Sequence, residues 1–127
     1  MKYLGIDFGQ KRVGIAISNE EGKMAFPKDT FLNDNNLLEN IVILCTRENI
    51  SEIVMGHSIN FKGEENKIMG EVNQFKKLLE DRKYLVHLEP EYMTTQQAKR
   101  IQGKSGKTDA SAATIILQSY LDRINVR

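Results

Sequence analysis

Alternation of apolar and polar positions dominates the first third of the chain. Lys2 to Phe8 and Arg12 to Ser18 are apolar stretches joined by Gly9-Gln10-Lys11, a link short enough to require an antiparallel hairpin. A period of two puts Tyr3, Gly5 and Asp7 on one side of the first strand and Leu4, Ile6 and Phe8 on the other. In the second strand Gly14 and Ala16 share a side, opposite Val13, Ile15 and Ile17. If the two small sides coincide, Asp7 stands beside a shallow hollow. Glu20-Glu21-Gly22 marks another turn, and Met24 to Phe31 reads as a third strand in which Pro27 argues for an edge position or a bulge.

The period then changes. Leu37, Leu38, Ile41, Leu44 and Cys45 recur at three- and four-residue intervals, which predicts a helix over about 36–49 capped by Asn33 or Asp34. Ile53-Val54-Met55, ending at Gly56, reads as a central parallel strand, and the polar run 57–66 as a loop. A second helix is expected over about 64–82, with Ile68, Val72, Phe75, Leu78 and Leu79 inward. Tyr84 to Leu88 is a short strand, followed directly by Glu89-Pro90-Glu91-Tyr92. Thr94 or Thr95 caps a short helix that stops near Gly103, and 103–107 is a basic loop. Thr108 caps a last helix over about 109–124, whose inward face is Ala113, Ile116, Leu117, Tyr120 and Ile124. This order predicts an α/β fold: a mixed five-stranded sheet, a three-strand antiparallel meander plus two parallel strands, with helices on both faces.

Composition changes this picture little. The 127 residues suit one domain, 1–127, large enough to bury a core. No long uncharged apolar run suggests a membrane span, and the chain enters a strand at once with no leader expected before it. A single cysteine, Cys45, on an apolar helical stripe, fits core packing in a reducing cytoplasm. Two histidines and one cysteine leave no zinc-type cluster. A net charge of +1 neither demands nor excludes nucleic acid, so a binding face would have to come from uneven charge distribution.

Three acids stand out. Asp7 lies in an apolar strand, where a carboxylate is costly unless paired or metal-bound; its alternative use is to end the strand and bond into the turn. Asp109, in the first turn of a helix, is favoured there by the helix dipole alone, yet it lies four residues before Ala113, at the tip of the inward stripe. Glu91 follows a strand, as does its competitor Glu89, and either alone reads as a solvated loop acid. Converging carboxylates suit Mg²⁺ or Mn²⁺, and one or two such ions can drive phosphodiester cleavage.

Gly5-Ile6-Asp7-Phe8-Gly9 with Arg12-Val13-Gly14-Ile15-Ala16 resembles the opening motif of the YqgF (RuvX-like) family. Ile53-Val54-Met55-Gly56 with Asn60, Gly63 and Glu64, then Glu91 with Thr94-Thr95-Gln96-Gln97-Ala98, then Lys107 with Asp109, Ala112, Ala113, Ile116 and Leu117 continue the likeness in order. The resemblance implies an RNase H-like fold and divalent-metal phosphodiester hydrolysis, with Asp7, Glu91 and Asp109 as catalytic and metal-holding acids. It implies a cytoplasmic nuclease acting on structured RNA, at the 5′ end of pre-16S rRNA in ribosome biogenesis, or on branched DNA as a Holliday junction resolvase. Pro90 and Tyr92 depart from the family, which usually has an acid before and an arginine after the position of Glu91; His57-Ser58 stand where a proline is expected. Tyr92 cannot replace a bidentate arginine on phosphate.

Arg12, Lys104 and Lys107 are the phosphate-contact candidates, ahead of Lys11 and Lys62, whose reading as surface cations is favoured. His57 could add a ligand or proton carrier, against the plainer reading of a polar surface residue. A catalytically degraded binding module of the same fold is one alternative. A sugar-kinase-like ATPase is another, since the opening hairpin resembles its first phosphate loop, but that architecture needs two such domains. Monomer and homodimer both stay open; symmetric resolution of a junction would want a dimer.

Overall fold

The alternation of the opening residues produces three strands, β1 (Tyr3–Phe8), β2 (Arg12–Ser18) and β3 (Ala25–Leu32), and the later periodic segments add α1 (Leu37–Glu48), β4 (Glu52–Ile59), α2 (Met69–Asp81), β5 (Leu85–Tyr92) and α3 (Asp109–Ile124). The computed structural model describes residues 1–59, 67–92 and 109–126, with backbone alone at Ile59, Glu91, Tyr92 and Asp109. The five strands form one sheet in the order β3-β2-β1-β4-β5. β2 pairs antiparallel with β1 and β3, whereas β4 pairs parallel with β1 and β5, which is the mixed sheet the sequence predicts. Pro27 meets both expectations at once. β3 is an edge strand, and its register against β2 slips between Ile15, opposite Asp29, and Ala16, opposite Pro27.

The sheet separates two cores. On one face Leu4, Ile6, Val13, Ile15, Ile53 and Met55 pack against Leu37, Ile41, Leu44 and Cys45 of α1 and Met69, Val72, Phe75 and Leu79 of α2. On the other, Ala16 and Val54 lie under Ala113, Ile116, Leu117, Tyr120 and Leu121 of α3. Small residues set the spacing of this second layer. A Cβ at Gly5 would stand 2.7 Å from the Leu117 Cβ and 3.1 Å from the Ala113 carbonyl oxygen, so glycine is what lets α3 lie so close to β1.

Several boundaries differ from the sequence reading. β4 runs on through Gly56, His57 and Ser58 to Ile59, and β5 takes in Glu89 to Tyr92, because these polar ends pair with each other from Gly56–Glu89 to Ile59–Tyr92. α3 packs mainly on β1, β2 and β3, so the ends of β4 and β5 need not be apolar to be strand. α2 begins at Met69, after a turn at Lys67 and Ile68; the proposed start at Glu64 lies outside the described residues. Leu78 and Ile124 are exposed rather than inward, and Leu121, four residues beyond Leu117, is the buried one. Neither Asn33 nor Asp34 sits at the α1 N-cap position; that is Asn36, which makes no side-chain cap bond. The Asp34 carboxylate instead accepts from the Asn36 N–H at 2.9 Å. α1 ends as Asn49 turns left-handed, at φ 59°. The short helix expected after Thr94 and the basic loop at 103–107 lie outside the described residues.

Candidate active site

Asp7 is the member of the predicted acid triad whose side chain lies among the described residues. Its strand is central, with β2 on one side and β4 on the other. Gly5 pairs with Ala16 and Asp7 with Gly14, so the small sides of the two strands do coincide. Asp7 is half-buried on the α3 face, with no Cβ on the residue opposite it. The turn after it is tightly made. A Cβ at Gly9 would stand 2.4 Å from the Arg12 carbonyl oxygen, so only glycine fits this close approach. Asn33 pins the turn from β3: its Nδ2 donates to the Gly9 carbonyl at 2.7 Å and its N–H to the Lys11 carbonyl at 2.9 Å. Sequence reading missed this role because an asparagine shortly before a helix has the ordinary signature of a cap.

Backbone register brings the other two acids to the same end and face. β1 and β4 are paired as far as Ile6–Met55, one step before Asp7 and Gly56; on β4, Gly56 pairs with Glu89 and Ser58 with Glu91. Glu91 therefore belongs to the alternating set of His87 and Glu89, which faces α3. It lies two strands across from β1, roughly 10 Å, and two residues further along, roughly 7 Å. Asp109 begins α3. The Ala113 carbonyl and the Leu117 side chain lie over Gly5 and Tyr120 lies against Tyr3, so α3 runs from the Asp7 end of β1 toward its start, and its first residue, Asp109, is toward the Asp7 end.

Glu89, the rival of Glu91, is committed elsewhere. It is buried, and both carboxylate oxygens are taken by α3: Arg123 Nη2 donates to Oε1 at 2.5 Å and Ser119 Oγ to Oε2 at 3.0 Å. The bond to Glu89 holds the Arg123 pKa above its ordinary value. That guanidinium also stands 5.3 Å from the Tyr120 ring centroid, and Tyr120 stacks on His87 at 5.0 Å. His87 Nε2 in turn lies 2.8 Å from the Glu52 Oε1. Spacing in the sequence gave no signal for this network, since Glu89 and Arg123 are 34 residues apart.

The remaining candidates divide. Arg12 opens β2 two residues before Gly14, in the alternating set that shares the face of Asp7, and it is exposed. Lys11 is exposed in the turn, while Lys62, Lys104 and Lys107 lie outside the described residues. His57 is in strand, not loop, and alternates with Ile53 and Met55, the set facing α1 and α2, opposite to Asp7. Cys45 is buried, and burial pushes its thiol up to about 12, the state of a packing residue rather than a nucleophile. Among the described residues no three His, Cys, Asp or Glu side chains gather as a metal site; the carboxylates of Glu91 and Asp109 are outside that set. Among the same residues no helix is long and apolar enough to cross a membrane.

Comparison with known proteins adds a family. The family model described as RuvX, Holliday junction resolvase, matches residues 1–123. A protein of Sulfurihydrogenibium sp., provisionally named a pre-16S rRNA nuclease, is 31% identical over 133 residues, covering 98% of this chain and 92% of its own. One from Protochlamydia amoebophila, with the same provisional name, is 36% identical over 139 residues, covering 95% of this chain and 93% of its own. Among solved structures, the Fowlpox virus resolvase bound to Holliday junction DNA superposes with a TM-score of 0.62 at 14% identity, covering 99% of this chain and 100% of its own. RuvC of T. thermophilus, also bound to a junction, gives 0.53 at 12% identity, covering 98% of this chain and 97% of its own. At such identities these structures speak for the fold, which is RNase H-like. By its sequence over nearly the whole length, the chain belongs to the RuvX Holliday junction resolvase family.

Proposed function

We propose that the protein is a divalent-metal-dependent nuclease that hydrolyses phosphodiester bonds in structured nucleic acid, with maturation of the 5′ end of pre-16S rRNA as its first role. The observation that carries this reading is the placement of Asp7 on the central strand, with the backbone of Glu91 and Asp109 at the same end and face of the sheet. The names of the relatives, pre-16S rRNA nuclease throughout, favour RNA. The family description favours a second reading, cleavage of a four-way DNA junction.

The donor set fits a hard cation. Asp7 is half-buried with Gly14 opposite it, and the residues whose backbone lies toward its end of the sheet, Glu91 and Asp109, bear carboxylates rather than soft ligands. Asp7, Glu91 and Asp109 would hold one or two Mg²⁺ or Mn²⁺ ions. Such ions activate a water for attack on the phosphorus and stabilise the departing oxygen. The protein's own contribution is placement: Asp7 is held by pairing with Gly14 of β2 on the central strand, and Gly9 and Asn33 fix the turn that follows. Arg12, with Lys104 and Lys107, would hold the backbone phosphates, which makes binding salt-dependent and largely indifferent to base sequence. The whole chain, 1–127, acts as one cytoplasmic nuclease domain in this reading, as a monomer on RNA and as a homodimer on a symmetric junction.

The test pairs two substrates. Structured precursor 16S RNA and a four-way DNA junction are incubated with the folded protein in Mg²⁺, in Mn²⁺ and in chelator. Metal-dependent cleavage of the RNA at one position supports the first role, and cleavage of the junction alone supports the second. If neither is cut under any metal condition, the nuclease reading fails. Calorimetric titration of Mn²⁺ then tests for a degraded binding module, which would bind nucleic acid without binding metal.

A further inference from the structure

We infer that Glu89, held by Arg123 and Ser119, is a positioning residue that sets the distance between Glu91 and Asp109. This rests on the nuclease reading above, and it concerns side chains outside the acid triad. β5 is an edge strand, paired on one side only. Among the described residues, α3 lies mainly over the other half of the sheet and packs only lightly on β5. Glu91 is on that end of β5, and Asp109 is on α3. Among the described residues, the other links between the two elements are the pairing of β5 with β4 and the stack of His87 on Tyr120.

Glu89 ties β5 to α3 directly, and it lies two residues from Glu91 in the same alternating set. Its carboxylate is buried and has each oxygen bonded to a different residue of α3, Arg123 at 2.5 Å and Ser119 at 3.0 Å. Charge-assisted bonds to both oxygens fix the direction of the carboxylate as well as its distance. Arg123 is itself steadied over the Tyr120 ring. A second carboxylate pair, Glu52 of β4 with His87 of β5 at 2.8 Å, offers a contrast: it joins β5 to β4 within the sheet and meets α3 only through the stack of His87 on Tyr120, with no hydrogen bond to the helix. Tuning of metal affinity through groups that orient the ligands is a general property of metal sites.

The experiment compares Arg123→Gln with Glu52→Gln in the intact chain. Each is read by Mn²⁺ calorimetry, by amide hydrogen exchange at Glu91 and by cleavage kinetics. For Arg123→Gln we expect Mn²⁺ affinity to fall about 10-fold or more. Exchange at Glu91 should quicken relative to Val86, and kcat should drop with KM for the nucleic acid little changed. Glu52→Gln should cost stability yet leave the Mn²⁺ affinity within about 2-fold. Arg123→Lys, which keeps the charge, should recover part of the loss. If Arg123→Gln fails to fold, Ser119→Ala removes one bond alone and should shift the Mn²⁺ affinity the same way by about 3-fold. Unchanged Mn²⁺ affinity and unchanged exchange at Glu91 in these variants, with a wild type that binds and cuts, overturn the positioning role alone. So do equal shifts in Arg123→Gln and Glu52→Gln. A wild type that neither binds Mn²⁺ nor cuts overturns the nuclease reading, and this inference with it.

Discussion

The opening hairpin and the β5 edge each carry a site acid, and they hold it in opposite ways. Asp7 is in the middle of the sheet. Its strand lies between β2 and β4; Asp7 itself pairs with Gly14 of β2, directly follows the last residue paired with β4, and has a helix pressed close through Gly5. Glu91 is on a strand with one neighbour, and among the described residues that strand is hydrogen-bonded to a helix through the Glu89 side chain. A central acid gains rigidity from backbone pairing, which is present in any well-formed sheet. An edge acid has to be steadied by particular side chains, and those can vary without disturbing the fold. Pro90 and Tyr92, where the sequence resemblance implies an acid and an arginine, both stand on this edge strand. Pro90 is itself tolerated there because an edge strand leaves half of its backbone groups unpaired.

The largest expected effect tests that contrast directly. Asp7→Glu keeps the charge but lengthens the side chain in a place that cannot adjust. It should lose about 10³-fold in kcat, as Asp7→Asn does, equivalent to about 4 kcal/mol of barrier. Glu91→Asp shortens the side chain on an edge that can shift, and it should retain activity about 10-fold or more above Asp7→Glu. Single-turnover cleavage with each variant, alongside melting curves showing intact folds, makes the comparison. Equal losses at the two positions would mean that the edge is as rigid as the centre.

The same contrast explains what could be read from the sequence. The hairpin was legible down to the coincidence of its small faces, because alternation, a short link and glycines at fixed offsets are all local signals. The edge-strand bulge was legible through Pro27. The ends of β4 and β5 were not, because polar residues read as loop unless one knows that the covering helix lies elsewhere. The burial of Glu89 was equally hidden, since its partners lie on α3, far along the chain. The acids themselves were picked out by residue type and position and by family likeness. Register supplies what sequence could not: that Glu91 is within β5 rather than after it, two residues beyond the level of Asp7.

Stability should separate the regions next. In Gly5→Ala the added methyl meets the Leu117 Cβ at 2.7 Å and the Ala113 carbonyl at 3.1 Å, atoms fixed to the backbone of α3 that cannot rotate away. The helix must lift, at a cost of about 1–3 kcal/mol, or a melting temperature lower by roughly 5 °C or more. Because α3 carries Asp109, activity should fall further than the loss of stability explains. An unchanged melting temperature would show that α3 is not held as closely as the packing indicates.

Alkaline titration gives a smaller effect with a defined sign. Burial pushes Cys45 from 9.0 up to about 12 and also raises Tyr3 of β1 and Tyr120 of α3, whose rings contact each other. In each case the folded chain keeps a proton that the unfolded chain gives up. Stability is therefore whole below the unfolded values and is lost as pH rises through the folded ones. Cys45→Ala should flatten the decline that begins near pH 9 on the hairpin's own core face, and Tyr120→Phe the part that begins near pH 10 at the edge. Denaturant midpoints from about pH 8 to about pH 11 measure both slopes. The Cys45 thiol should stay unreactive toward disulfide reagents until the chain unfolds.

His57 gives the smallest expected effect and the cleanest check on the assignment of faces. It stands on β4 between the strands of Asp7 and Glu91, level with Pro90, so a position in sequence or along the strand would suggest a place in the chemistry. Alternation puts it with Ile53 and Met55, toward α1 and α2, with the sheet between it and Asp7. An imidazole there can reach neither the hollow beside Gly14 nor a phosphate held by Arg12. His57→Ala should keep kcat and Mn²⁺ affinity within about 2-fold of wild type, the range of a substitution outside the catalytic constellation. A loss of about 10-fold or more with the fold intact would place the ring on the acid side of the sheet and break the register from which Glu91 is positioned.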